Sequence, residues 1–562
     1  MTKERTFREQ ATRGFAWNYL YKLTEFGLMN IYTILVVRHF GPGISAPYGV
    51  FTALCTTTTI FCAFAVDGVL LRYIQRISLK EHSPDRHFTK IENFALPGFL
   101  KTLFAFRLLV VTVVSLLIFF TLYFLPSVFP SLTETLGTIT KFSPYLIIFL
   151  YAQAIVAFCT SALIGLLEIK RVFFASLISR GLLLGAGIYF LVEGSLSLEH
   201  AVGLYVASAL INSSYLLLTF RKEVSKHSIS SGSGRFHLRS VVREVWQFIK
   251  GTRHIKLFLA TPLMLYGITT WGSDLLSTVL GRQPDILMMR ALLGENSTEI
   301  GYYLSASILL LVTEYIFLFG LGGTLVSIFS KLAHDDENDD IEGSKIYPRL
   351  AKARKEIAGF QNVVLLPLCA YMLVFAPDVM RSFYGVKYDG AIPMIRIGLC
   401  ALALSVGIFG GGMQITSLVA IGKERLVFRY RLFWGIINLI VNYFLIKSYG
   451  GLGAIIGTQF ANAFACGTES YFSRKYIESS WNISGTLRIV LISGISVLSG
   501  YYVLSAIGTE GSFISNTIIS GLFVGIMVSG LYLLFKIPEA KKIWLRIQGL
   551  FRQSKSTLLA NE

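Results

Sequence analysis

Charge is scarce in this sequence. Only 15% of its 562 residues are Asp, Glu, Lys or Arg, against about 25% in soluble globular domains. Acidic residues are the scarcer sign, 33 against 51 basic ones. With 53% hydrophobic residues and a mean hydropathy of +0.60, the chain is too apolar for a soluble globular fold and reads as a polytopic membrane protein. Cysteine is scarce as well. Cys55, Cys62, Cys159, Cys369, Cys400 and Cys466 each stand alone in an apolar run, which excludes a disulfide framework and any metal-ligand spacing and leaves them as packing residues. The net charge of +18 raises the question of nucleic acid. The basic residues, however, fall in short clusters between apolar runs, as the positive-inside rule distributes them, so nucleic acid is set aside.

What the chain does have is long apolar runs. Fourteen spans are expected, near residues 14–38, 47–72, 100–125, 144–168, 173–193, 198–220, 263–291, 301–330, 356–376, 392–421, 427–447, 451–472, 486–506 and 514–536. Each is about the 20 residues that a hydrocarbon core of about 30 Å requires, or longer. The first run is longer than a signal-peptide core and no small-residue cleavage site follows it, so the first helix is expected to stay in the mature protein. Lys and Arg concentrate at the N-terminus, the even-numbered loops and the C-terminus, which places both termini in the cytoplasm of a cell whose cytoplasmic membrane the chain crosses repeatedly. The external loops are short and carry no cluster of carboxylates or histidines, which argues against catalysis there.

The unit around which the rest is arranged runs from Gly14 to Arg76, two long helices joined by a turn holding Gly41, Pro42, Gly43 and Pro47. It has an echo about 255 residues later: Tyr48 precedes Gly68 by the same 20 residues that separate Tyr303 from Gly323, and Ala201 precedes Arg221-Lys222 as Ala454 precedes Arg474-Lys475. These echoes suggest an internal duplication whose halves share one orientation, with a site between them. The expected organisation is an N-terminal six-helix bundle (1–222), a basic linker (223–256), a second six-helix bundle (257–476), two further spans (477–536) and a basic tail (537–562). Within the linker, Val242, Val245, Trp246 and Ile249 share one face and Arg239, Arg243, Lys250 and Arg253 lie elsewhere, the pattern of an interfacial helix or of a plain basic linker. The acidic piece from His334 to Glu342 reads as a solvated cytoplasmic loop.

Ionisable residues inside spans are functional hypotheses by default, because a charge at membrane depth is expensive unless it faces protein or water. Asn18, Lys22, Glu25 and Met29 share one stripe of the first helix, and Lys22 and Glu25 can pair across one turn. Asp67 lies inside the second span. On the seventh, Thr270, Asp274, Thr278, Gly281 and Asp285 share a stripe, Arg282 is one turn from Asp285, and Gly281 with Pro284 can break the helix. Glu314, in the eighth, has no partner near it in sequence. Arg107, Arg180 and Arg396 lie near the starts of spans three, five and ten, where arginine ordinarily snorkels to the interface but can also bind an anion. Gly410-Gly411-Gly412 and Pro367 weaken regular helix in spans ten and nine and offer either bending or close packing.

Gly14-Phe15-Ala16-Trp17-Asn18, then Arg38, Gly41-Pro42 and Tyr48-Gly49, resemble the first hairpin of the polysaccharide-biosynthesis flippases, the O-antigen-type lipid-linked oligosaccharide translocases of the multidrug/oligosaccharidyl-lipid/polysaccharide exporter superfamily. Ala376-Pro377-Asp378, Tyr384-Gly385, Tyr388, Ala391 and Arg396 resemble that family's loop between spans nine and ten. Gly422-Lys423-Glu424-Arg425 and Tyr449-Gly450-Gly451-Leu452-Gly453-Ala454 are similar too. The resemblance implies an all-α protein, two pseudo-symmetric six-helix bundles plus two C-terminal helices around a cationic cavity with alternating access. It transfers no ligand residues, so the candidates rest on charge and depth. For an anionic lipid-pyrophosphate oligosaccharide these are Lys22, Asn18, Arg107, Arg180, Arg282 and Arg396. For a coupling Na⁺ or H⁺ they are Glu25, Asp67, Asp274, Asp285 and Glu314, whose pKa values burial and neighbours can move. No catalytic residue, structural metal or other cofactor is expected. A monomer is, working among membrane lipids beside a glycan polymerase and other polysaccharide-assembly proteins. Two alternatives stay open: a cation-coupled multidrug exporter or lipid II flippase of the same superfamily, and, from another class, a membrane-embedded glycan polymerase or transferase.

Overall fold

The structure is a computed structural model that describes residues 2–70, 74, 96–124, 131–166, 168–230, 241, 245–246, 262–294, 297–318, 325, 328–333, 336, 347–477, 483–507, 512–538 and 540. Every regular element among them is helical. In chain order these are α1 (Thr2–Phe40), α2 (Pro42–Ala63), α3 (Leu96–Phe119, prolonged by a π-helical turn Phe120–Phe124), α4 (Ser131–Gly165), α5 (Ile169–Val192), α6 (Leu198–Ser230), α7 (Pro262–Val279), α8 (Arg282–Leu293) and α9 (Thr298–Leu318). Then follow α10 (Pro348–Val374), α11 (Ala376–Tyr384), α12 (Ile392–Leu402), α13 (Gly412–Ala420), α14 (Glu424–Tyr476), α15 (Ile483–Ile507) and α16 (Phe513–Leu534). Among the described residues, eleven helical stretches are long and apolar enough to cross a membrane. One of them, α14, is 53 residues long and leaves helical geometry at Gly450 (φ 58°, ψ −137°), so it supplies the expected spans eleven and twelve. With α7 and α8 in place of span seven and α9 in place of span eight, about fourteen spans are accounted for. The interfacial-helix pattern at 239–253 falls almost wholly outside the described residues.

The chain divides into two compact units, 1–301 and 302–562. In the first, α1 lies along α5, α4 along α6, and α2 contacts α4, α7 and α8. Its interior is sealed by Tyr32, Tyr48, Phe51, Phe149 and Leu150, all buried, and by a second cluster around Phe104, Phe158 and Phe220. Against lipid, helices associate through close packing and interhelical hydrogen bonds rather than by escaping water. The contacts here are of that kind. Tyr32 donates its hydroxyl to the Ala201 carbonyl at 2.9 Å, and a Cβ on Gly187 would lie 2.7 Å from the Tyr32 ring.

In the second unit, α10 packs on α15 and α12, α14 on α12 and α13, and α16 on α11 and α15. Asn438, Asn442 and Thr458, all buried, bridge the two halves of α14: Asn442 donates to Thr458 at 2.7 Å and to Asn438 at 3.2 Å. Between α10 and α16 lies an apolar cavity of about 530 Å³, lined in part by Pro367, Tyr371, Val524, Val528 and Tyr532.

Several expected boundaries move. The turn between the first two helices is a single residue, Gly41 at φ 79°; Pro42 opens α2 and Pro47 is carried inside it, as the fixed φ of proline permits near a helix start. The second span is interrupted at Phe64 and Ala65 before helix resumes at Val66. Span seven breaks at Gly281, leaving Pro284 in the first turn of α8, where its missing N–H costs nothing. Span ten is interrupted by a π-helical turn (Ala403–Ile408) and by Gly410 and Gly411, at φ 80° and 47°, whereas Pro367 is absorbed within α10.

Candidate functional site

Among the described residues, two polar clusters of the first unit hold sequence candidates. On α1, Lys22 and Glu25 project to one side because they are three residues apart, and their Nζ and Oε2 atoms are 3.5 Å apart. Lys22 Nζ also stands over the Tyr21 ring, 4.8 Å from its centroid. The Glu25 carboxylate has a second cation in electrostatic range, Arg180 of α5, and Tyr21 is beside it. Arg180 is only 7% exposed. It donates from Nη1 to Ser208 Oγ of α6 at 3.1 Å, and Ser208 donates in turn to the Ser179 carbonyl at 3.1 Å. Its Nε has no partner among the described residues. Arg180 and Arg282, which opens α8, both act electrostatically on the buried Tyr48 and Tyr205. Asn18 is half-buried on the same stripe as Lys22.

The second cluster joins α2, α3 and α4. Arg107 is wholly buried and donates from Nη1 to Asp67 Oδ1 at 2.6 Å. Ser161 donates to the same oxygen at 3.2 Å. Arg107 and Arg180 are therefore interior residues, and the snorkelling reading fails for both: each has a polar partner in the unit, which is what makes burial tolerable in the absence of water. Arg396 does fit it, being exposed on α12 with Nε donating to the Leu373 carbonyl at 3.2 Å.

The other candidates are dispersed. Asp285 is buried at the start of α8, where a carboxylate suits the positive end of the helix dipole. Asp274 is exposed on α7. Thr270 and Thr278 donate their hydroxyls to backbone carbonyls of their own helix, Thr270 to Tyr266 and Gly267, Thr278 to Asp274. Glu314 is half-buried on α9 with Cys466 in electrostatic range.

Sequence reading missed three buried polar groups. Arg431 and Glu469, at the two ends of α14, form an ion pair at 3.2 Å, with Glu469 completely buried. Arg354 of α10 donates to Gln414 at 2.9 Å and to Ser473. In the first unit Arg171 reaches both Glu168 and the buried Glu223, the latter at 2.5 Å. None of them is marked by local spacing alone, and their partners lie up to 119 residues away. The acidic loop held another. Asp336 is buried and accepts the backbone N–H groups of Arg349 and Leu350, capping α10, whose own N-cap Tyr347 makes no side-chain cap hydrogen bond.

No family model matches the chain. It is 22% identical over 539 residues to the uncharacterized membrane protein MJ1068 of Methanocaldococcus jannaschii, covering 94% of this chain and 95% of that one. Among solved structures it is similar to the lipid II flippase MurJ in an inward closed conformation, with a TM-score of 0.59, 15% identity and coverage of 92% of this chain and 99% of that one. An inward-facing multidrug resistance MATE transporter of the MOP superfamily gives a TM-score of 0.53, 16% identity and coverage of 82% and 94%. A MOP superfamily transporter from Pyrococcus furiosus gives 0.51, 15%, and 83% and 95%. The chain is thus an all-helical, multi-pass membrane protein with the fold shared by the MurJ flippase and the MATE transporters.

Proposed function

We propose that this protein is a transporter, and specifically a flippase that carries a polyprenyl-pyrophosphate-linked oligosaccharide across the cytoplasmic membrane by alternating access, coupled to Na⁺ or H⁺, with both termini in the cytoplasm. The observation that carries the reading is the imbalance around Glu25: one carboxylate flanked by two cations, Lys22 and the buried Arg180, with Arg282 close to the same tyrosines. Two cations here share one carboxylate, and the buried one, Arg180, is costly to hold in the interior without an anion to pair with it. A pyrophosphate, whose two negative groups cannot cross hydrocarbon unaided, is a fitting counter-charge. A cationic drug would meet repulsion at this cluster, which favours an anionic cargo over multidrug export. The MurJ likeness keeps lipid II as the second reading, since lipid II shares the pyrophosphate chemistry.

Purified protein in proteoliposomes, given a fluorescent lipid-linked oligosaccharide, lipid II or a cationic dye, tests the choice. The oligosaccharide should be flipped in a manner that Lys22→Ala and Arg180→Ala abolish. Movement of lipid II alone would make this a peptidoglycan-precursor flippase. Covalent turnover of the glycan would return the enzyme reading.

A further inference from the structure

We propose that the interruption of the second span at Phe64 and Ala65 is a two-state hinge, held open by Trp271 and able to close into continuous helix when the carrier changes access. It rests on the alternating-access reading above.

From Val50 to Asp67 the sequence contains no glycine and no proline, the two residues that ordinarily break a membrane helix. Local sequence therefore favours continuity, and the break is imposed from outside. Ala65 sits at φ 65°, in the left-handed region that an L-residue avoids by about five- to thirty-fold relative to right-handed helix. The force that holds it comes from α7. The Ile60 carbonyl, which a continuous helix would offer to the Phe64 N–H, accepts Trp271 Nε1 at 2.8 Å, and the Phe64 and Trp271 rings pack with centroids 4.8 Å apart. Gly267, one turn before Trp271, brings the α7 backbone against the break: a Cβ there would lie 2.5 Å from the Ala65 carbonyl oxygen. On the far side Gly68 and Thr270 interlock, a Cβ on Gly68 falling 2.6 Å from Thr270 Oγ1. So α7 grips the interruption on both flanks.

A third mark of a conformation that is not the only stable one lies beside it. Arg107 uses Nη1 on Asp67, two residues past the strained position. Its Nε and Nη2, though buried, have no partner among the described residues, and buried donors without acceptors are costly to keep. Closing the break re-phases the segment that carries Asp67 relative to Arg107 and Ser161, so hinge state and ion-pair geometry change together. The strain at Ala65, the carbonyl lent to Trp271 and the incomplete satisfaction of Arg107 all load one form of a bistable element.

Hydrogen exchange measured by mass spectrometry on the purified full chain in nanodiscs, over peptides covering residues 58–70, reads the hinge without reference to any substrate. Ala65→Gly, which removes the left-handed penalty, should speed exchange there by about fivefold or more. Trp271→Phe, which keeps the ring and loses the N–H, should slow it by a similar factor. Unchanged exchange in Ala65→Gly overturns the hinge, and because this substitution is mild it does so even if Trp271→Phe unfolds and raises exchange throughout α1 to α6. Opposite shifts in the two variants support it. A third arm is functional: in proteoliposomes Ala65→Gly and Trp271→Phe should both flip lipid more slowly than the native chain, since each favours one form of the hinge over the other. Native flipping rates in both variants also overturn the hinge. Hinge shifts with no lipid flipped by any variant would instead sink only the transport reading.

Discussion

At the residue scale, what distinguishes Lys22 and Arg180 is how each is held. Lys22 is tethered to Glu25 on its own helix and remains partly open, with a third of its side chain exposed. Arg180 is buried and oriented by Ser208. Lys22→Arg should therefore keep much of the flipping activity and Lys22→Ala lose it, with unchanged amounts in the membrane by immunoblot. Arg180→Lys should fail almost as fully as Arg180→Ala, because the point charge of a lysine does not reproduce the planar guanidinium that donates to Ser208 with Glu25 in electrostatic range. Near-normal flipping by Lys22→Ala would reduce Lys22 to a packing partner of Glu25. The pairing of Lys22 with Glu25 was legible in sequence from its helical spacing. The approach of Arg180 was not, since the residues are far apart along the chain and only the packing of α1 on α5 brings them together.

At the element scale, both units fasten a pair of helices with a buried ion pair, Arg171 with Glu223 across α5 and α6, and Arg431 with Glu469 across the two halves of α14. Removing one partner leaves the other charged and buried, which costs about 3–5 kcal/mol, whereas replacing both with apolar residues is near neutral. Arg431→Met should thus lower the thermal midpoint of the detergent-solubilised protein far more than Arg431→Met combined with Glu469→Leu. If the double variant melts lower still, the pair is not the source of the effect. The cap on α10 offers a smaller test: Asp336→Ala should cost about 0.5–2 kcal/mol, seen as a modest drop in the same melt. The helices themselves were readable from apolar length. Their interruptions were readable only where glycine announces them, at Gly281 and at Gly410-Gly411, and not at Ala65, where α7 overrides a sequence with no breaker.

At the scale of the whole molecule, two proposals remain to be measured. A reporter fused after Lys141 or after Lys387 should be found outside the cytoplasm, since Lys and Arg are sparse in those loops and dense in the alternate ones; a cytoplasmic signal at either would invert the topology. Asp274, exposed on α7 near the hydroxyls of Thr270 and Thr278, is the carboxylate proposed to carry the coupling ion. Asp274→Asn should abolish gradient-driven flipping and leave lipid-linked oligosaccharide binding measurable. Gradient dependence that persists at the wild-type rate would move the role to Glu314, Glu25 or Asp67.

The sequence by itself determined the class of this protein and about how many times it crosses the membrane. In hydrocarbon every backbone polar group must be satisfied within its own segment, so an apolar run of sufficient length has no alternative to helix. It also determined which charges would need explaining, because any ionisable residue inside such a run is conspicuous. Only the tertiary structure decided what became of them: that Arg107 and Arg180 turn inward to Asp67 and Ser208, that Arg396 turns outward, that Asp336 caps a helix, and that Trp271 holds open a helix whose own residues favour closure. The physical reason is range. Helical periodicity acts over one or two turns, whereas the partners that make a buried charge or a strained residue tolerable come from other helices, and packing alone chooses them.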